Sequence, residues 1–311
     1  MITTTRMKIC LCIRIVLVSL LFLLPACQSE LPDKTLNTKV VMISSPDELL
    51  ALFAEKNYTT KAWQAGIHDV PRFYITNITS GWRNNSEKMP ILAKKRIFFR
   101  LLAALVLASN ETILADRERL LQSDLNSEED QHWLAALAGK YKLTVVDNKL
   151  SEEQFEKLKL RVDIVPVSLA LAQSAEESGW GTSRFAVQGN ALFGQWDYSG
   201  KGIKPKNQRQ ELGDHTIAQF ESPMDSVESY MHNLNTHRAY TRLRQARAVM
   251  RAEKKTISGY VLAKTLDKYS ERGADYVKSL HAMMRINRLS SADNAVLVGD
   301  EIIYLVPENP A

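Results

Sequence analysis

The chain has 311 residues, of which 45% are hydrophobic and 24% charged, and its formal net charge is +5. This balance is typical of a folded globular protein and excludes an intrinsically disordered chain, while the length suffices for one large domain or two modest ones. A basic balance is compatible with nucleic acid, anionic lipid or an anionic polymer, but +5 spread over this length requires none of them.

The first 27 residues have the features of an export signal. Basic residues border an apolar run, residues 15–24, that is too short to span a bilayer comfortably. The run ends in Leu-Pro-Ala-Cys, which resembles the cleavage site of bacterial lipoproteins. This resemblance implies a lipid on Cys27 that anchors the chain to a periplasmic membrane, and Gln28 favours the outer one. The alternative is an ordinary signal in which Cys27 occurs by chance.

Cysteine and histidine usage argues against metal chemistry. The cysteines are Cys10, Cys12 and Cys27, so the chain beyond Cys27 has no partner for a disulfide or a cysteine-based zinc site. No two histidines flank a glutamate at the i, i+4 spacing of a zinc-protease helix, and no glycine-rich phosphate loop is present. We therefore expect no metal, no cofactor and no nucleic-acid partner.

The rest of the chain divides into a tether over residues 28–44, a helical region over 45–147, a catalytic region over 148–290 and a tail over 291–311. The tail alternates weakly and is expected to be a strand or a loosely packed end. Residues 91–108 are strongly apolar but interrupted by arginines, which predicts a buried helix rather than a membrane span.

Local signals predict several boundaries. Pro71 predicts an extended segment over residues 70–75, and Ser222 followed by Asp225 suits a helix cap. Gly139 and Gly179 are placed to end helices. Short strands are expected near residues 196–221, so the fold class is α+β and mainly α.

Glu176 and Glu177 fall in the last turn of a largely apolar helix that ends at Gly179. Helix C-terminal carbonyls carry partial negative charge, and apolar surroundings disfavour a charge, so both effects raise the pKa of a carboxyl group there. A raised pKa suits a general acid. Spacing alone leaves open which glutamate is functional, and a solvated acidic pair at a helix end is an equal alternative.

Three motifs in order carry a resemblance: Ala-Gln-x-x-x-Glu-Ser-Gly-Trp-Gly at residues 172–181, Ser-Arg-Phe-Ala at 183–186 and Gly-Asn-Ala-Leu-Phe-Gly at 189–194. Together they resemble the bacterial glucosaminidase family of glycoside hydrolases (glycoside hydrolase family 73), which includes flagellar hydrolases and autolysins. The helical region ahead of them is similar to that of the Bax subgroup. The resemblance implies a lysozyme-like catalytic domain whose substrate is the glycan strand of peptidoglycan.

The same resemblance implies the site. The family's catalytic acid precedes Ser-Gly-Trp-Gly and is therefore Glu177, with Glu176 in a supporting or surface role, and Tyr269 is expected to position substrate or stabilise charge. A second carboxylate, where the family has one, sits on a hairpin, which makes Glu211 a candidate; help from the substrate's own N-acetyl group is the alternative. Residues expected to contact sugar are Gln173, Trp180, Asn190, Phe193, Trp196 and Tyr240.

Two rival functions remain open. A lytic transglycosylase also uses a Glu-Ser pair at a helix end, but its usual Gly-Leu-Met-Gln segment is replaced here by Asn-Ala-Leu-Phe-Gly. This replacement favours hydrolysis as an endo-β-N-acetylglucosaminidase. The other rival is a wall-binding lipoprotein without activity, whose signature would be loss of the catalytic glutamate, and Glu177 is present.

Overall fold

The computed structural model describes residues 36–197, 199–205 and 216–308. These residues are mainly helical with two small sheets, which confirms the expected mainly α class. The helices are α1 (Pro46–Glu55), α2 (Thr60–Gln64), α3 (Ser80–Lys88), α4 (Ile91–Gln122), α5 (Glu128–Lys140), α6 (Glu152–Arg161), α7 (Val167–Ser178), α8 (Arg184–Gly189), α9 (Pro223–Thr236), α10 (Thr241–Ala252), α11 (Gly259–Leu262) and α12 (Ala274–Asn287). The strands are β1 (Asn37–Ile43), β2 (Asp69–Ile75), β3 (Trp196–Asp197), β4 (Thr216–Ile217) and β5 (Val296–Pro307).

The larger sheet joins the two ends of the described chain. Its strand order is β1-β5-β2, and β5 is parallel to both neighbours. The pairing of β1 runs from Asn37 opposite Glu301 to Ile43 opposite Pro307. Residues 37–43 are therefore part of the fold, and the predicted tether is wrong for them because their backbone is hydrogen-bonded along β5. Residues 28–35 lie outside the described residues.

The C-terminal segment contributes the central strand of this sheet. Of the two alternatives for residues 291–311, the strand is the one observed, over Val296–Pro307. β5 lies between two strands that belong to the N-terminal region in sequence, and α4 packs against β2 beside it. Ile303 and Leu305 of β5 are buried in the same core as Phe73.

Helix α4 is a core element. It is long and apolar enough by composition to cross a membrane, but 61% of its most apolar window is buried inside the fold. Buried side chains such as Ile97, Leu101 and Leu105 contribute to the main hydrophobic cluster. The structure thus confirms the expectation of a buried helix at this position.

Helix α7 is enclosed by its neighbours. Ten of its twelve residues are buried, and α4, α11 and α12 pack around it. It begins after Pro166. It ends at Gly179, which adopts the left-handed conformation (φ 57°), and this stop is the one that the sequence predicted. The Ser222–Asp225 cap and the extended segment at residues 70–75 are also confirmed. Gly139, in contrast, lies inside α5, which continues to Lys140.

A buried cluster of charges ties the entry of α7 to α4 and α10. Asp163 is 2% exposed, and its carboxylate pairs with Arg251 at 2.6 Å and with Arg117 and Arg247 at 3.7 Å. Burial raises the pKa of Asp163, but the hydrogen bond from Arg251 and the charges of Arg247 and Arg117 outweigh burial and lower the pKa overall. Arg247, itself 1% exposed, also donates to three backbone carbonyls and to Asn235.

Replacing Asp163 with Asn should destabilise the protein by about 3–5 kcal/mol, because three arginines would lose their buried counter-charge. The matched control is Asp267→Asn, which breaks the exposed pair between Arg242 and Asp267 and should cost less than about 1 kcal/mol. Urea unfolding of both variants measures the difference. Equal costs would show that the buried cluster does not hold these helices together.

Candidate active site

Glu177 lies in the last turn of α7, immediately before the residues that end the helix. Three consecutive residues after it, Gly179, Trp180 and Gly181, have positive φ, so the chain turns sharply away from the helix axis. Ser178 closes this turn because its hydroxyl donates to the carbonyl of Ser174 (2.6 Å) and accepts from the amide of Gly181 (2.8 Å). The carboxyl group of Glu177 is left half-buried beside the turn.

The two glutamates at this helix end have different surroundings. Glu176 pairs with Arg272, whose Nη1 lies 2.6 Å from Oε1. Glu177 has no such ion pair within the described part of the chain, and burial raises the pKa of its carboxyl group. The negative charge of Glu176 raises that pKa further, while a hydrogen bond from Tyr276 and the charge of Arg272 oppose the rise. Helical spacing could not distinguish Glu176 from Glu177, but their charged neighbours in the structure do.

A hydrogen-bonded chain of buried side chains leads to Glu177. Tyr230 donates to Oε1 of Gln173 (2.7 Å), and Nε2 of Gln173 donates to the hydroxyl of Tyr276 (3.0 Å). Because that hydroxyl accepts from Gln173, its own proton is available to Glu177. Tyr269, and not Tyr276, was the tyrosine expected from the sequence to position substrate. The spacing of seven residues between the two tyrosines, which places both near one region, was the only signal for Tyr276.

Tyr269 lies behind this contact. Its ring stacks on Tyr276 with 5.5 Å between centroids, and its hydroxyl donates to the carbonyl of Phe193 (3.1 Å). It therefore connects α12 to the Asn-Ala-Leu-Phe-Gly loop, and the direct contact with Glu177 belongs to Tyr276. A catalytic role for Tyr269 stays a prediction.

The loop after α8 approaches Glu177 closely at Gly194. A Cβ atom on Gly194 would lie 3.2 Å from Oε2 of Glu177, and the residue has positive φ (59°). Only glycine adopts this conformation without strain and leaves the carboxyl group its space. The terminal glycine of the loop motif thus has a steric reason, which the sequence alone did not reveal.

Four of the residues predicted to contact sugar are buried in the structure. Gln173 (0% exposed) has both amide atoms engaged by tyrosines, and Phe193 (2%) stacks on Tyr230 with 3.8 Å between centroids. Asn190 (8%) accepts from the amide of Ile78 and donates to the carbonyls of residues 220 and 221. Tyr240 (7%) hydrogen-bonds with Asn233. These side chains pack behind the site, and direct contact with sugar stays a prediction for them.

The remaining predicted residues differ in accessibility. Trp196, in β3, is 46% exposed. Trp180 is half-buried, with Phe99 at 5.0 Å and Phe98 at 5.8 Å from its ring centroid. Glu211 and Cys27 lie outside the described residues. Asp197, at the start of the hairpin, accepts hydrogen bonds from Ser199, Gly202 and Thr216, so it serves as a turn acceptor.

The N-terminal region holds the turn that follows Glu177. Trp82 of α3 donates from Nε1 to the carbonyl of Trp180 (3.0 Å), and Arg83 donates from Nε to the carbonyl of Thr182 (2.7 Å). Phe98 and Phe99 of α4 pack on the ring of Trp180. The sequence analysis did not anticipate these contacts, because no local pattern marks partners about one hundred residues apart.

The described residues contain no group of three or more histidine, cysteine, aspartate or glutamate side chains that could hold a metal ion. An apolar cavity of about 140 Å³ lies beside the turn and is lined by residues that include Trp82 and Gly181. Glu177 does not line it, so the carboxyl group lies outside this cavity.

Comparison with known proteins identifies the domain around Glu177. The family model described as glucosaminidase, mannosyl-glycoprotein endo-beta-N-acetylglucosaminidase, matches residues 152–289. The match runs from α6 to the end of α12, so this part of the chain, which includes Glu177, is similar to the glucosaminidase domain of glycoside hydrolases.

A relative covers more of the chain. Protein bax of Escherichia coli (strain K12) is 29% identical over 246 residues, which are 75% of this chain and 88% of that protein. The similarity therefore extends into the N-terminal helical region. No solved structure significantly matches the chain.

Gly181→Ala should destabilise the protein by about 1–3 kcal/mol, because Gly181 has positive φ (74°) and a Cβ would lie 3.2 Å from Trp82 Nε1 and 3.3 Å from Phe98. Gly139→Ala is the control. Gly139 lies in α5 with nothing within 4 Å of the added carbon, and alanine there should stabilise by roughly 0.5–1 kcal/mol. Thermal unfolding compares the two, and a shift of the same sign in both would contradict the packing of the turn.

Proposed function

We propose that the protein is a peptidoglycan hydrolase that cleaves the glycan strand as an endo-β-N-acetylglucosaminidase, with Glu177 as its general acid. The observation that carries the proposal is the half-buried Glu177 carboxyl group, without an ion pair among the described residues, between Tyr276 and Gly194. The glucosaminidase domain that surrounds it supports the substrate class.

The neighbouring charges support the choice between the two glutamates. An acid catalyst must hold a proton at working pH, which requires a desolvated carboxyl group and no strong cationic partner. Arg272 forms an ion pair with Glu176 across 2.6 Å. Glu177 is less exposed to that cation, and burial favours its neutral form. In this proposal Glu176 is a supporting residue engaged by Arg272, and Glu177 is the proton donor.

In the proposed reaction, Glu177 donates its proton to the glycosidic oxygen that leaves, while water attacks the anomeric carbon. The Gln173–Tyr276 pair orients the carboxyl group. Attack by water needs a base or a neighbouring group, and two sources fit the chemistry: Glu211, which lies between β3 and β4 in sequence, or the N-acetyl oxygen of the substrate. A lysozyme-like arrangement of the domain and membership of glycoside hydrolase family 73 belong to the same proposal.

The proposal includes a location. A lipid on Cys27 would hold the enzyme on the periplasmic face of a membrane, and Gln28 after it favours the outer membrane. The support is the Leu-Pro-Ala-Cys sequence after an apolar run. Metabolic labelling with a palmitate analogue, compared between the natural chain and Cys27→Ala, reports whether the lipid is attached.

Glu177→Gln should reduce cleavage of purified murein by at least about a hundredfold, because proton donation by a general acid is worth roughly 10²–10⁴ in rate. Glu176→Gln is the matched control at the same helix end and should keep most of the activity. Zymography ranks the variants, and circular dichroism shows that both are folded. Equal clearing by Glu177→Gln and the natural chain would remove Glu177 from the mechanism.

Mass spectrometry of the digested murein separates the rival functions. Hydrolysis adds water and leaves a reducing N-acetylglucosamine end. A 1,6-anhydro end would instead show a lytic transglycosylase. Binding to murein without any cleavage by the natural chain would show a wall-binding protein without activity.

Activity should fall as pH rises through the raised pKa of Glu177, because only the protonated carboxyl group donates. Glu176→Gln removes a negative neighbour that raises this pKa, so the alkaline limb of kcat/KM should move to lower pH. Tyr276→Phe removes a hydrogen bond that lowers it, so the limb should move to higher pH. Profiles measured on soluble murein fragments test both shifts, and unmoved or same-direction shifts would exclude Glu177 as the titrating group.

A further inference from the structure

A second cavity, of about 510 Å³, lies on the side of the molecule where the start of α4 meets the end of α12. Its floor is formed by Ala103 of α4 and Leu171 of α7, which are both buried. Aromatic side chains, including Trp63 and Phe99, form its walls. Glu177 does not line this cavity, so it is distinct from the glucosaminidase site.

The charge of this cavity has one sign. Four cations line it, and its lining contains no aspartate or glutamate. In the part of the chain that the structure describes, none of the four forms an ion pair with a carboxylate, although exposed pairs occur elsewhere on the surface. The cations are Lys95, Arg96, Arg100 and Arg288. Such a concentration of unpaired positive charge attracts anions.

Arg100 is the deepest of these cations. Its guanidinium lies 5.3 Å from the ring centroid of Tyr58 and 5.5 Å from that of Phe53, and it donates to Thr60 (3.2 Å). Burial lowers the pKa of Arg100, Tyr58 opposes this shift and Arg96 adds to it, so that the resulting pKa is about 10. A half-buried guanidinium with only neutral partners has donors left for an incoming anion.

The rim of the cavity is apolar and exposed. Leu92 is 73% exposed and Ile286 is 70% exposed, and both line the cavity. Ile91, adjacent to Leu92, is also 70% exposed. These are the three most exposed large hydrophobic side chains among the described residues. A basic pocket surrounded by aliphatic side chains is typical of protein surfaces that insert at the boundary between lipid headgroups and acyl chains.

We propose that this face docks on an anionic phospholipid bilayer, with a headgroup phosphate in the cavity beside Arg100 and with Leu92 and Ile286 in the acyl boundary. The charge favours an anionic bilayer over a neutral one, and the exposed aliphatic rim favours a lipid over a soluble anion. A carboxylate-bearing wall peptide would use the cations but would leave the rim in water. The proposal depends neither on Glu177 nor on a lipid at Cys27.

The test places a tryptophan on the rim of the full-length chain as Ile286→Trp. The protein is added to vesicles of phosphatidylcholine, or of phosphatidylcholine with a quarter phosphatidylglycerol, that carry brominated acyl chains. Val249→Trp is the matched control, because Val249 is also exposed (55%) but lies on α10 and does not line the cavity. The signal is the quenching of each variant beyond that of the natural chain, so any anchoring by the N-terminus is common to all.

Ile286→Trp should be quenched by the vesicles with phosphatidylglycerol and much less by those without, and Val249→Trp should be quenched by neither. Adding Arg96→Gln and Arg288→Gln, both at exposed positions, should weaken docking roughly thirtyfold, since each basic residue near an anionic surface contributes roughly fivefold.

Equal quenching of Ile286→Trp and Val249→Trp would overturn the proposal, as would quenching that survives the loss of both arginines. If the arginine changes weaken sedimentation with murein and leave quenching intact, the cavity binds wall peptide instead.

Discussion

The contact on which the rest of the site depends is the pair of hydrogen bonds that Trp82 and Arg83 make to the turn after Glu177. Trp180, the one residue of this turn with positive φ (64°) that is not a glycine, is in a conformation that is costly for the backbone and persists only where its surroundings over-determine it. Ser178 supplies the local bonds, but the carbonyls of Trp180 and Thr182 have their partners in α3. Helix α3 of the N-terminal region therefore stabilises the turn at the end of α7.

The surroundings of Glu177 explain how the molecule accommodates a partly desolvated carboxyl group. Burial without a cationic partner disfavours the charged form of a carboxyl group and raises the pKa of Glu177, while the hydrogen bond from Tyr276 opposes this rise. Tyr230, Gln173 and Tyr276 form one continuous chain of neutral hydrogen bonds behind Glu177. Asp163 shows the opposite arrangement within the same domain, since three arginines surround it and hold it ionised. The pKa values of these two carboxyl groups are therefore shifted in opposite directions, up for Glu177 and down for Asp163.

Features that depend on residues close together in the chain could be predicted from the sequence. The helix stop at Gly179, the cap at Ser222 and the buried character of α4 follow from residues close together in the chain. The acid was selected by a resemblance, because Glu176 and Glu177 are equivalent by periodicity. The sequence did not reveal that Gln173 and Asn190 are buried, since a polar residue in a motif can contact a ligand or satisfy buried partners, and its burial depends on tertiary packing.

The position of β5 and the contacts of the N-terminal region could not be predicted, because they depend on pairing between segments that are distant in the chain. The alternation in β5 is compatible with an edge strand or a loose tail, and its central position depends on β1 and β2, more than two hundred residues away. Because β5 is hydrogen-bonded on both sides and packs with α4, the chain beyond the glucosaminidase domain stabilises the N-terminal region. That region in turn holds the turn after Glu177. The contacts that hold this turn therefore depend on the pairing of β5 with β1 and β2, and no single segment specifies the site.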